Sequence, residues 1–157
     1  TLSMCAESLA KMGHPVNLQI VGTDISASVL MEAKKALYSE MALARGLDVI
    51  SKANYFQAVE GGYQLHPEII RRVKFQQFNL LDSFSSLGRF DIIFCRNVLN
   101  YFSTDVKRNI VQRMSSVLSN GGYLFLSSTE AMPADLVQYE SVRGGRVRYF
   151  RKASISS

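Results

Sequence analysis

The sequence predicts an α/β fold with a mostly parallel, doubly wound sheet, and three observations carry that prediction. Short apolar runs alternate along the chain with stretches of helical period, the pattern of crossover connections. The run Phe90-Asp91-Ile92-Ile93-Phe94-Cys95 is too continuously apolar for a half-exposed strand and suits one covered on both faces. Glycine, proline and asparagine punctuate the boundaries between runs. At 157 residues the chain fits one domain spanning residues 1–157, large enough to bury a core.

Leu2, Cys5 or Ala6, Leu9 and Met12 recur at helical spacing, and Gly13 with Pro15 ends the run. No capping residue precedes Thr1, so the natural sequence is expected to begin earlier. Val16–Val21 reads as a strand closing at Gly22-Thr23-Asp24. Ser26 is placed to cap a helix from about Ala27 to Leu37 whose buried side carries Val29, Leu30, Ala33 and Leu37. Short helical turns fill residues 38–58, and Gly61-Gly62 predicts a hairpin in a small β-subdomain around 55–75. Val73–Phe78 and Phe90–Cys95 are core strands. Ser103 caps a helix bearing Val106, Ile110, Met114, Val117 and Leu118, which stops at Asn120-Gly121-Gly122 before a strand from Tyr123 to Ser127. Val137–Val142 and Arg146–Arg151, joined by Gly144-Gly145, make a C-terminal antiparallel hairpin.

Composition narrows the function. The chain is 47% hydrophobic and 20% charged, which excludes a disordered segment. A formal net charge of +5 favours an anionic partner without naming one. Arg143, Arg146, Arg148, Arg151 and Lys152 lie on alternating strands and read as a solvated face. A nucleic-acid patch would be expected to interleave aromatics for stacking and to be more basic still, so no direct nucleic-acid contact is expected. Cys5 and Cys95 are far apart in apolar company and read as reduced core thiols of a cytoplasmic protein. His14 and His66 each precede a proline, read as surface residues, and offer no metal set. No signal peptide or membrane-length apolar run is visible, so no membrane insertion is expected.

In an open α/β sheet the ligand lies beyond the carboxyl ends of the strands. Polar residues close three of the predicted strands: Asp24, Asn79 and the pair Arg96-Asn97. An acid at such a position can accept two hydrogen bonds from ribose hydroxyls, and it can equally serve as a turn former.

The segments Gly22-Thr23-Asp24-Ile25-Ser26, Phe78-Asn79-Leu80-Leu81 and Phe90-Asp91-Ile92-Ile93-Phe94-Cys95-Arg96-Asn97-Val98-Leu99-Asn100-Tyr101-Phe102 resemble successive motifs of the CheR family. The phrase from Phe94 to Phe102 is the most specific. Leu118–Phe125 resembles the next helix-to-strand turn, and Thr1–Leu9 the helix after the family's glycine-rich motif. The resemblance is collinear over essentially the whole chain. It implies a Rossmann-like S-adenosylmethionine-dependent methyltransferase sheet, here without its first strand and glycine-rich loop. It implies transfer of methyl groups to glutamate side chains of chemoreceptors for sensory adaptation, with S-adenosylhomocysteine as product and chemoreceptor cytoplasmic helices as partners. By resemblance Asp24 binds the cofactor's ribose, Asn79 and Leu80 lie along the adenine, Arg96 and Asn97 line the methionine end, and Tyr101 faces the transferred methyl. Arg96 and Tyr101 are thus the catalytic candidates.

The family's N-terminal helical domain is absent from these residues. The hairpin at Gly61-Gly62 is short, which points to a member that does not dock a receptor pentapeptide. A bare sheet edge would lead this chain to self-associate and to bind cofactor poorly on its own. Two rivals stand beside the family function: a methyltransferase for another substrate, and a non-catalytic module that binds a receptor or signalling partner.

Overall fold

A computed structural model describes residues 1–145 and 147–154. Two compact units emerge, Thr1–Asn79 and Leu80–Ser157. Arg146, part of the predicted basic face, lies outside the described residues.

In the first unit, helix α1 (Leu2–Lys11) leads to strand β1 (Ile20–Asp24) and helix α2 (Ala27–Lys35). Strand β2 (Leu37–Tyr38), helices α3 (Glu40–Ala44) and α4 (Val49–Tyr55), and strands β3 (Phe56–Val59) and β4 (Gly62–Leu65) follow, an insertion that starts well before the region around 55–75 where the sequence suggested a small β-subdomain. Helix α5 (Pro67–Ile70) and strand β5 (Val73–Gln77) complete the unit. β1 and β5 run parallel from Ile20 opposite Val73 to Asp24 opposite Gln77. The first strand therefore begins later than its apolar run predicts. The Leu18 N–H turns back onto the Val16 carbonyl at 3.0 Å, and the ladder opens only where the Ile20 N–H reaches the Arg72 carbonyl at 2.8 Å.

Helix α1 departs from expectation in its buried face. Ser3 and Ala6 are buried, whereas Leu2, Cys5, Leu9 and Met12 are exposed. The reason is the close seat against α5: the Ser3 hydroxyl donates to the Ile69 carbonyl at 2.7 Å, which a small polar side chain permits. Arg72 pairs with Glu7 at 2.8 Å on the same helix. Cys5 is thus not a core thiol, while Cys95 is buried. Helix α2 starts as predicted, with the Ser26 hydroxyl accepting from the Val29 N–H, and ends at Ala36 in the left-handed region. Of its predicted buried side, Leu30 is buried and Val29 is exposed. His66 is half-buried rather than superficial, because it precedes α5 and its Nδ1 lies 3.4 Å from Glu68.

The hairpin at Gly61-Gly62 forms as read, with β4 at the centre of the order β2-β4-β3. Gly62 has φ +151, and a Cβ there would run into the Tyr38 carbonyl oxygen. Glycine is what lets β2 approach and make the hairpin a three-stranded sheet.

The second unit opens with a 3₁₀ turn (Phe84–Leu87) and strand β6 (Phe90–Phe94). A 3₁₀ turn (Leu99–Tyr101) leads into helix α6 (Thr104–Val117) and strand β7 (Leu118–Phe125). The chain ends in the predicted antiparallel pair, β8 (Tyr139–Gly144) and β9 (Val147–Lys152). The order is β6-β7-β9-β8, with the first pair parallel and the others antiparallel. Ile110, Val111, Met114 and Val117 of α6 are buried, each side chain of this size contributing roughly 1.5–3 kcal/mol.

Asn120-Gly121-Gly122 does not stop the chain before a separate strand, as the sequence suggested; it lies inside β7. Gly121 has φ +75, and the β6–β7 register shifts between Phe90 and Ile92, so the glycines form an irregularity within one strand. Lys152 also leaves the predicted solvated face. Its ammonium donates to the Ser115 and Leu118 carbonyls at 2.7 and 2.8 Å, the orphan acceptors at the end of α6. Arg143, Arg148 and Arg151 are exposed as expected. Among the described residues β1 pairs only with β5, and β6 only with β7. No helix among them is long and apolar enough to cross a membrane.

Candidate functional site

The parallel strand pairs bring the predicted residues to their carboxyl ends. In the first unit Asp24 closes β1 opposite Gln77, and its carbonyl accepts the Phe78 N–H at 2.9 Å, which leaves Asn79 just beyond the same end. Asp24 also acts as a turn former: its Oδ1 accepts the Ser26 N–H at 2.8 Å and so aims the chain into α2. The side chain stays half-exposed, so its carboxylate remains accessible beyond that bond.

In the second unit the chain leaves β6 through Cys95, whose N–H still bonds the Phe125 carbonyl at 2.9 Å, and then turns sharply. Asn97 adopts φ +60, a left-handed conformation that asparagine tolerates better than most residues. Arg96 and Asn97 are exposed at this turn. Tyr101 ends the following 3₁₀ turn with 85% of its surface exposed, while its neighbour Leu99 is 1% exposed. Tyr101 is therefore no packing residue of this unit. Leu80 heads the same unit and is half-buried.

Glu130, which sequence reasoning did not select, holds this turn. Its side chain is 7% exposed. Oε1 accepts the N–H groups of Val98 and Leu99, each at 2.8 Å. Oε2 accepts those of Asn97 at 3.0 Å and Ser127 at 2.9 Å. Burial alone would raise this carboxyl, but the hydrogen bonds from Ser127, Asn97 and Leu99 prevail and hold it at about 2. Burial first, and then the Glu130 charge, pushes the adjacent Cys95 thiol up to about 12, so this cysteine is no nucleophile. A cavity of about 570 Å³ opens beside the turn, lined among others by Arg96, Thr129, Glu130 and Arg148 over Phe94 and Phe125.

Parallel strand pairs with polar residues at their carboxyl ends are the mark of an open α/β, Rossmann-like sheet that takes its ligand there. The fold is similar to that of the N-methyltransferase NodS from Bradyrhizobium japonicum WM9, with TM-score 0.50 and 15% identity over 95% of this chain and 80% of that one. Residues 1–148 match the model of the CheR methyltransferase, SAM binding domain. The chain is 47% identical over 126 residues to the chemotaxis protein methyltransferase Cher2 of Pseudomonas putida, covering 80% of this chain and 46% of that protein. It is 46% identical over 136 residues to chemotaxis protein methyltransferase 1 of Pseudomonas aeruginosa, covering 84% and 50%. The chain belongs to the CheR methyltransferase family, and its cofactor is S-adenosylmethionine. It spans about half the length of these curated relatives.

Each unit carries polar side chains at the carboxyl end of a strand: in the first the half-exposed Asp24 carboxylate, in the second the Arg96 guanidinium and the Asn97 amide on a fixed turn.

Proposed function

We propose that the natural protein containing this chain transfers methyl groups to glutamate carboxylates on the cytoplasmic helices of chemoreceptors, acting in the cytoplasm. The match of residues 1–148 to the CheR domain supports this reading, beside relatives named chemotaxis protein methyltransferases. In it Asp24 accepts the ribose hydroxyls, Asn79 and Leu80 flank the adenine, and Arg96 and Asn97 hold the methionine end. The exposed Tyr101 ring forms one wall for the incoming side chain.

S-adenosylmethionine supplies an electrophilic methyl on sulfur. A glutamate carboxylate is already ionised at pH 7, its reference pKa being about 4.3, so the chain needs no general base. Its residues orient the acceptor and keep water out, and orientation of this kind supplies much of a methyl transfer's acceleration. Glu130 takes no proton in this scheme, since it is fully hydrogen-bonded as the anion.

Incubation of the natural full-length protein with methyl-labelled S-adenosylmethionine and receptor-bearing membranes tests the reading. The label should enter receptor protein and leave as methanol in mild alkali, as a carboxyl ester does. Alkali-stable label would move the protein to a nitrogen acceptor. In the same assay Tyr101→Ala should lower turnover about 10-fold or more while affinity for S-adenosylhomocysteine holds within about 2-fold, because shaping the reacting centre acts on the transition state. An unchanged rate would remove Tyr101 from the site.

A further inference from the structure

Three consecutive backbone N–H groups, those of Asn97, Val98 and Leu99, converge on one buried carboxylate more than thirty residues away in sequence. They converge because Asn97 is left-handed and Val98 sits at φ −126, ψ −34, so neither continues a strand or a helix. The Ser127 N–H supplies the fourth bond. A carboxylate has about four lone-pair positions, and here four donors fill them. Nothing is left with which this side chain could bind substrate or accept a proton.

We propose that Glu130 is a positioning residue for methyl transfer, fixing the 97–99 backbone and through it the aim of Arg96, Asn97 and Tyr101; the proposal rests on the methyltransferase reading above. With so little of the Tyr101 ring packed against the protein, the backbone before it must set where that ring stands. That backbone is tied by the Tyr101 N–H to the Val98 carbonyl at 3.3 Å and by the Phe102 N–H to the Leu99 carbonyl at 3.1 Å. Val98 and Leu99 are two of the residues whose N–H groups Glu130 holds. A second tie runs beside the first. The Asn100 amide donates to the Thr129 hydroxyl at 3.1 Å, and Thr129 meets the Ser127 hydroxyl at 3.2 Å. The segment after β7 therefore grips the turn after β6, through a charge in the middle and an amide at the end. A preorganised anion nest of this kind is stiff, because every alternative leaves a buried charge or a buried N–H unpaired.

The test compares the natural full-length protein with Glu130→Gln, Glu130→Asp and a stability control, Val117→Ala, in the same unit but away from the turn. Gln keeps the volume but turns an NH₂ towards N–H donors. Asp keeps the charge on a shorter stem. The kcat should fall about 100-fold in Glu130→Gln, the scale of a displacement near 1 Å at a reacting centre. Glu130→Asp should recover part of that loss. Amide hydrogen exchange over residues 95–102 should accelerate in Glu130→Gln and not in Val117→Ala, whose turnover per folded molecule stays normal. If Glu130→Gln folds poorly, the ranking of wild type above Asp in both readouts still decides. Normal kcat despite accelerated exchange would overturn the proposal. So would an equal loss of kcat in Val117→Ala. A wild-type protein with no methyl transfer overturns the function above and this proposal with it, and the wild-type assay tells that case apart.

Discussion

The turn after β1 and the turn after β6 occupy equivalent places, each at the carboxyl end of a parallel strand, yet different bonds hold them. The side-chain acceptors of the first are local, the Asp24 carboxylate bonded two residues on and the Ser26 hydroxyl three residues on, with one distant bond from the Gln77 amide to the Ile25 carbonyl at 2.9 Å. A buried carboxylate from a distant segment holds the second, over separations of 31 to 33 residues, with the Asn100–Thr129 bond beside it. Local bonds form early and cheaply and leave a turn open to solvent. The distant bond makes the geometry of one turn conditional on the folding of the whole second unit. Two motifs at equivalent strand ends can thus differ in what fixes their shape, and so in what damages them.

The largest expected effect follows from removing the distant bond. Glu130→Ala strands four backbone N–H groups, three of them in the turn, and each buried unsatisfied donor costs roughly 1–3 kcal/mol. Partial relaxation towards water brings the net loss to about 3 kcal/mol or more, read by denaturant unfolding of the natural protein. A loss below about 1 kcal/mol would mean that the turn holds itself, and the contrast with the first turn would collapse.

Acid probes the same contrast through the protonation of Glu130. The Glu130 carboxyl lies at about 2 in the fold against 4.5 for the free group. A depressed pKa contributes stability that is complete above the unfolded value and disappears as pH falls through the folded one. The window therefore runs from about pH 4.5 down to about pH 2, and its size is on the order of 3 kcal/mol. Comparison of wild type with Glu130→Gln across that window isolates the term, since the variant should lack this part of the acid sensitivity. Parallel pH profiles would show that the carboxylate is not held as its hydrogen bonds indicate.

Legibility in the sequence follows the same division. Where the bonds are local, the sequence was readable: Ser26 as a cap, Gly61-Gly62 as a hairpin, and the C-terminal hairpin. The phrase from Phe94 to Phe102 also placed Arg96, Asn97 and Tyr101 on one turn at a strand end, which is where they stand. Distant partners decided the rest. Lys152 looked solvated because nothing in its neighbourhood reveals the α6 carbonyls it meets. Cys5 looked buried because helical period alone could not say that Ser3 and Ala6 would face α5. Glu130 offered one weak sign, a lone acid just after a core strand, which does not say what it holds.

A smaller effect is expected at Asp24, where it sharpens the comparison from the other side. Asp24→Ala removes a hydrogen-bonded charge from the proposed ribose position and should weaken binding of S-adenosylhomocysteine by the natural protein by about 1.5–3 kcal/mol. Calorimetry reads it directly. Unchanged affinity would leave Asp24 as a turn former alone, the role its bond to Ser26 already demonstrates.

The smallest effect belongs to Ser26, and it tests whether the first turn is held as loosely as its contacts imply. Its hydroxyl accepts the Val29 N–H at 3.4 Å, near the limit of a hydrogen bond, and it also lies 2.8 Å from the Ser28 hydroxyl. Loss of an N-cap serine costs about 0.5–2 kcal/mol in general, and an exposed, long bond belongs at the low end because water replaces it. Ser26→Ala should therefore cost about 0.5 kcal/mol in unfolding free energy. A loss near 2 kcal/mol would mean that the first turn, too, leans on its one cap, and the two strand ends would then differ in distance alone and not in strength.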